Sequence, residues 1–240
     1  MKKVLITGAS SGLGAELATL YLQNHSVVYA CGRNQDKLEQ LKQYSGNSVS
    51  VTFDMSVKEQ VFAALSDIDS LDVVILNAGD CLYIDDAKHF DSDIFAHIVN
   101  TNLVSVGYLL EALIKKINPG GQLVFISSSV TLLPLPRAEA YGASKAGMDY
   151  LANSLRLDLA KHDIDVSLIH PGFVKTPLTD KNNFDMPFLM DVEEAAKRTF
   201  RAIEKRQHYL QFPKRFTFLL RALSYIPIKL WIKITNRNNV

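Results

Sequence analysis

The stretch Val4-Leu5-Ile6-Thr7-Gly8-Ala9-Ser10-Ser11-Gly12-Leu13-Gly14 decides how this chain is read. Its first residues are aliphatic, glycines follow at 8, 12 and 14, and Leu13, Leu17, Leu20 and Tyr21 then recur at helical spacing. The pattern predicts a strand, a tight turn and a helix. Glycines suit such a turn because a residue without Cβ bends sharply and lets an anion approach the amides at a helix start. The spacing departs from the GxGxxG dinucleotide fingerprint, since Leu17 stands where a match begun at Gly12 needs its third glycine. A diphosphate cradle and a plain strand-to-helix junction both fit this stretch taken alone.

Outward from it, strand and helix patterns alternate. Strands are predicted at 26–31, 48–53, 72–76, 122–127, 165–169 and 208–212, and helices at 35–44, 58–65, 94–117, 138–162 and 193–205. Short apolar strands separated by helices of ten or so residues imply right-handed crossovers and a mostly parallel sheet of about seven strands, an α/β domain. A chain of 240 residues that is 48% hydrophobic supports one such domain. Ligands on these sheets sit at the carboxyl ends of the strands, so the residues there carry the functional information.

Net charge is +1, which suggests no nucleic-acid partner. The average hides an asymmetry: Lys205, Arg206, Lys214, Arg215, Arg221, Lys229, Lys233 and Arg237 follow Glu204, and no acidic residue does. Cys31 and Cys81 have neither redox nor metal-ligand spacing, the six histidines form no HxxxH pair, and no metal is assigned. Only Met1, Lys2 and Lys3 precede the first strand, which leaves no room for a leader, and a cytoplasmic location is expected.

After the second strand come Gly32, Arg33 and Asn34. A carboxylate at this place would bond a ribose 2′-hydroxyl, whereas a guanidinium offers paired donors to a 2′-phosphate, which favours NADP over NAD. Asp54 ends the third strand, and Asn77-Ala78-Gly79 ends the fourth. Ser127-Ser128-Ser129 ends the fifth, followed by Tyr141 and Lys145, four apart and therefore on one helical face. A neighbouring ammonium would favour phenolate and lower a value that is ordinarily near 10. The pair is weak evidence by itself, since a second one, Tyr225 and Lys229, straddles Pro227 near the end of the chain.

Together, Thr7 to Gly14, Asn77-Ala78-Gly79, Asn102, Ser128, Tyr141 with Lys145, and Pro171-Gly172-Phe173-Val174-Lys175-Thr176 resemble the short-chain dehydrogenase/reductase family in order and spacing. The resemblance covers residues 1–212 and implies a Rossmann-like, doubly wound NADP-binding domain, with 213–240 as a basic amphipathic C-terminal tail. It implies that Gly8, Gly12 and Gly14 cradle the cofactor diphosphate with help from Ser10, Ser11 and Leu13. Arg33 and Asn34 would hold the 2′-phosphate, Asp54 beside Met55 the adenine, and Asn77, Ala78 and Gly79 the adenosine side. Pro171, Gly172, Val174 and Thr176 would fix the carboxamide. Ser128 and Tyr141 would hold the substrate oxygen, Tyr141 acting as acid and base; Lys145 would bind the nicotinamide ribose, and Asn102 would anchor a water chain to it. Two departures stand out: Leu76, where relatives often carry asparagine, and Ser11, where some NADP-preferring members are basic.

The implied activity is NADP-dependent hydride transfer to or from a carbonyl or secondary alcohol, by a homo-oligomer. Phe184, Met186, Phe188 and Met190, in the family's variable substrate loop, suggest an apolar substrate, although packing of the loop explains them equally. In the tail, Phe216, Leu219, Leu220 and Leu223 recur at helical spacing, Pro227 interrupts, and Ile228, Leu230, Trp231, Ile232 and Ile234 resume. This fits peripheral contact with anionic lipid, or packing against another subunit or over the substrate pocket. Two other classes stay open: a catalytically silent nucleotide-binding regulator, and a membrane or partner adaptor acting through the tail.

Overall fold

The computed structural model describes residues 1–237, with side chains through Thr235. The last three residues of the expected tail, and the side chain of Arg237, lie outside the described residues. Seven strands form one sheet in the order β3-β2-β1-β4-β5-β6-β7, every pair parallel. They are β1 Lys3–Thr7, β2 Val27–Gly32, β3 Ser48–Thr52, β4 Leu71–Leu76, β5 Ile117–Ile126, β6 Asp165–Pro171 and β7 Tyr209–Phe212.

Alternation along the strands builds two cores. Val4 and Ile6 of β1 face one way with Val28, Ala30, Val73, Ile75, Val124 and Ile169. On that side lie α1 (Gly12–Gln23), α2 (Gln35–Glu39) and α7 (Val192–Glu204), which add Leu17, Leu38 and Ile203. Leu5, between them in sequence, faces the other way with Val74, Leu76, Phe125 and Leu168. That side is covered by α3 (Lys58–Leu65), α5 (Ser105–Leu113) and α6 (Glu139–Leu159). A strand buried on both faces must be apolar at every position, which is why β1 reads as a continuous run. Across the first layer, Tyr21 and Phe200 meet edge to face at 4.8 Å.

Several boundaries differ from expectation. The helix expected over 35–44 is α-helical only to Glu39 and tightens to a 3₁₀ turn over Gln40–Gln43. The stretch expected as one helix over 94–117 is α4 (Ser92–Val99), a π turn at Asn100–Val104, α5, and a 3₁₀ turn. Apolar periodicity survives one extra residue per turn, so the π turn was invisible to it. Strand β5 begins at Ile117 because Ile117 pairs with Leu71 before an irregular step brings Gln122 opposite Val73.

The strand order reverses about β1, whose neighbours are β2 and β4, and the crevice opens there at the carboxyl ends. The turn after β1 is shaped by closeness. A Cβ on Gly14 would stand 2.3 Å from the Gly8 carbonyl oxygen and 2.5 Å from Asn77 Nδ2, and Gly8 itself has φ +70°. Thr7 joins this turn to the end of β4: its hydroxyl accepts from the amides of Asn77 and Ala78 at 3.0 Å each, and its carbonyl accepts from Asn77 Nδ2 at 3.0 Å. Gly14→Ala should therefore cost about 1–3 kcal/mol, the range for forcing atoms into a packed site. The measurement is a urea midpoint at unchanged slope; a variant as stable as the parent would show that the turn can open.

Candidate active site

A cleft of about 480 Å³ runs along the carboxyl ends of the strands. One end is lined by Gly8, Ser10, Ser11, Leu13, Arg33, Asp54 and Met55, the middle by Asn77, Ala78 and Gly79, and the far end by Ser128, Tyr141, Lys145, Pro171, Gly172, Val174 and Thr176. Residues spread over most of the chain thus converge on one site. The residues present suit an extended dinucleotide. At the α1 end, Ser11 occupies the N-cap without making a side-chain cap, which leaves donors at the helix start for an anion.

Four expected residues sit elsewhere than in the cleft wall. Gly12 lies under Thr176, where a Cβ would come within 3.1 Å, and Gly14 packs on Gly8. Asn34 caps α2, its side chain accepting from the Lys37 amide at 3.0 Å, so that carbonyl is engaged in the helix start. Asn102 is fully buried at the π turn: it accepts from the Asp80 amide at 2.8 Å and donates to the Asp80 carbonyl at 2.8 Å and to Ser144 Oγ at 3.1 Å. It nevertheless lies close to the lysine, because a Cβ on Gly79 would be 3.0 Å from Asn102 Oδ1 and 3.6 Å from Lys145 Nζ.

At the adenosine end, Arg33 is exposed just past β2. Asp54 Oδ1 accepts from the Ser56 hydroxyl and amide at 2.7 and 2.9 Å, which holds its carboxyl below the usual range, with Arg33 adding to the effect. At the other end, the Lys145 side chain is buried and donates to the Ile126 carbonyl at 3.0 Å. Desolvation lowers its pKa to about 8, partly countered by Asp149 and Cys81.

The expectation that Lys145 lowers the Tyr141 phenol is corrected. Loss of water around the phenol pushes it well above its ordinary value, and Cys81 pushes the same way, while the Ser128 hydroxyl offsets part of the rise. Lys145 Nζ is 5.9 Å from the Tyr141 ring centre and is bonded to a carbonyl. In this arrangement Tyr141 is a protonated phenol at neutral pH, suited to give a proton.

Sequence reasoning missed the group behind the lysine. Asp149 accepts from Ser127 Oγ at 2.5 Å and bonds His170 Nε2 at 2.7 Å, and His170 is 2% exposed. Tyr141, Lys145 and Asp149 recur every four residues, which was the available signal. Ser127 was visible only as part of the serine run after β5, and His170 of β6 had no signal. Phe184 of the expected substrate loop and Phe216 of the tail meet in an aromatic cluster: Phe173 lies 6.0 Å from Phe184 and 5.6 Å from Phe216, and Tyr83, which had no sequence signal, lies 5.4 Å from Phe184.

Known proteins resemble this chain in sequence and in fold. The family model described as short chain dehydrogenase matches residues 2–187. An uncharacterized oxidoreductase of Myxococcus xanthus is 34% identical, over 94% of this chain and 93% of its own. A 3-oxoacyl-(acyl-carrier-protein) reductase of Rickettsia prowazekii is 35% identical, over 76% of each chain. Among solved structures, the 3-ketoacyl-(acyl-carrier-protein) reductase of Brucella melitensis, complexed with NADH, is 22% identical with a TM-score of 0.78, over 88% of this chain and 96% of its own. A tyrosine and lysine brought to one strand-end cleft, on a chain matched over most of its length, mean that this protein belongs to the short-chain dehydrogenase family and is an NAD(P)-dependent oxidoreductase.

Proposed function

We propose that the protein uses NADPH to reduce the carbonyl of an apolar compound, as a cytoplasmic homo-oligomer. The observation that carries the cofactor choice is Arg33, an exposed guanidinium directly after β2 where an acidic side chain would select a free ribose hydroxyl. The Brucella relative holds NADH, so the choice rests on this chain's own residues. Self-association is supported by Tyr150 and Leu157 of α6, which are 78% and 79% exposed on this single chain.

The bound cofactor would supply hydride to the carbonyl carbon. Ser128 and Tyr141 would offer two hydroxyls to the carbonyl oxygen, where negative charge develops, and donors positioned beforehand need no reorganisation. Tyr141 would give its proton to that oxygen, leaving an alcohol. Lys145 would support the phenolate so formed and hold the ribose, with Asn102 behind Gly79 as a relay toward solvent. Phe173, Phe184 and Tyr83 would receive an apolar chain beside the reacting carbon.

Calorimetric titration with NADPH and NADH tests the cofactor reading. Arg33→Asp should move the preference toward NADH at least tenfold, about 1.4 kcal/mol, and an unchanged ratio would show that Arg33 does not meet the phosphate. Tyr141→Phe should lower ketone reduction by about a hundredfold or more while NADPH titrates as in the parent; retention of a tenth of the rate would exclude Tyr141 as the acid. The pH profile follows from Lys145. Its ammonium is present below about 8 and is lost above, so kcat/KM for reduction should be level at lower pH and fall as pH rises through about 8. A profile flat well into alkaline solution would remove Lys145 as the controlling group.

A further inference from the structure

The chain closes with α8 (Lys214–Ser224) and α9 (Ile228–Arg237), beyond the family-matched residues. Helix α8 turns Phe216 and Leu220 inward onto Leu133. Trp231 of α9 joins the same cluster beside Leu132, Leu135 and Phe173, and donates from Nε1 to the Pro134 carbonyl at 2.9 Å. The tail is therefore held against the domain with a defined outer face.

That outer face is apolar and of one sign. Phe218 is 74% exposed, Tyr225 88% and Ile228 61%, and Leu219, Leu230 and Ile232 are about half exposed. Lys214, Arg215, Lys229 and Lys233 lie among them, all exposed, and all 25 acidic residues of the chain stand at or before Glu204. The molecule is thus polarised, an acid-rich body carrying a basic end.

We propose that the α8–α9 face docks on the surface of an anionic lipid bilayer. Exposed aromatics and aliphatics interleaved with lysine and arginine match an interface that is apolar within and negative at its headgroups. A second copy fits the same face poorly. A two-fold contact would set the same cations of both copies against each other, with no acid in the tail to answer them. The described residues of the two helices carry Lys214, Arg215, Arg221, Lys229 and Lys233 among their apolar side chains, whereas a membrane-crossing helix is about 20 predominantly apolar residues. The docking surface does not depend on the catalytic reading.

The test is flotation of the full chain with phosphatidylcholine vesicles, with and without about 30 mol % phosphatidylglycerol, at low salt and at about 0.5 M salt. The chain should float with the anionic vesicles only, and high salt should release it at least tenfold. Phe218→Ser with Tyr225→Ser, and separately Lys229→Glu with Lys233→Glu, should each cut the floated fraction about tenfold. Far-ultraviolet circular dichroism of the variants, compared with the parent, serves as the control for folding. Failure of the full chain to float, or variants that float like the parent, would overturn the proposal. So would absence of flotation together with a Phe218→Ser/Tyr225→Ser chain that scatters light as a smaller oligomer than the parent, which would assign the face to a second copy.

Discussion

The approach of Gly14 to the Gly8 carbonyl is the constraint on which the rest of the site depends. With only 2.3 Å available to a Cβ there, the start of α1 is drawn onto the turn after β1, and Asn77 closes against both. Thr7 then ties that turn to β4, across the reversal of strand order. The crevice opens above these two joined strand ends, where the strand order reverses. Were the turn wider, the helix start could not point into the cleft, and Gly79 would not stand between Asn102 and Lys145.

The second half of the site is electrostatic. An ammonium buried as deeply as Lys145 would be costly unless its charge were answered. One carbonyl, Ile126, accepts a hydrogen bond from it, and Asp149, one turn further along α6, supplies opposite charge from behind. Asp149 is in turn held by Ser127 and His170 from the neighbouring strands. Two strands, β5 and β6, and one helix thus fix a lysine whose charge changes near pH 8, next to a phenol that burial keeps protonated. Proton transfer from such a phenol is favoured only when a developing oxyanion draws on it, a condition that ties the chemistry to a substrate in place.

The tail shows how one sequence pattern can serve two surfaces. Its apolar residues were open to packing or to lipid, and the structure divides them: Phe216, Leu220 and Trp231 face the domain, while Phe218, Tyr225 and Ile228 remain outside. The inward set packs with Leu132, Leu133 and Phe173, on the loops that follow Ser128 and Pro171.

What the sequence by itself determined was the repeating strand and helix, the parallel sheet, and most of the cleft lining, from Gly8 through Arg33 and Asp54 to Tyr141 and Lys145. Local spacing made the elements legible and set small or polar residues at strand ends and Tyr141 and Lys145 on one helical face, and the resemblance of their order to one family implied their roles. Only the tertiary structure decided that Asn34 caps a helix, that Asn102 sits on a π turn, and that Asp149, Ser127 and His170 meet behind the lysine. The direction of the Tyr141 shift belongs with them. Sequence neighbours suggested a nearby cation; the fold removed water from the phenol and gave the ammonium another partner, and desolvation outweighs a charge nearly 6 Å from the ring. Such facts arise from contacts between residues distant along the chain, which no local pattern encodes.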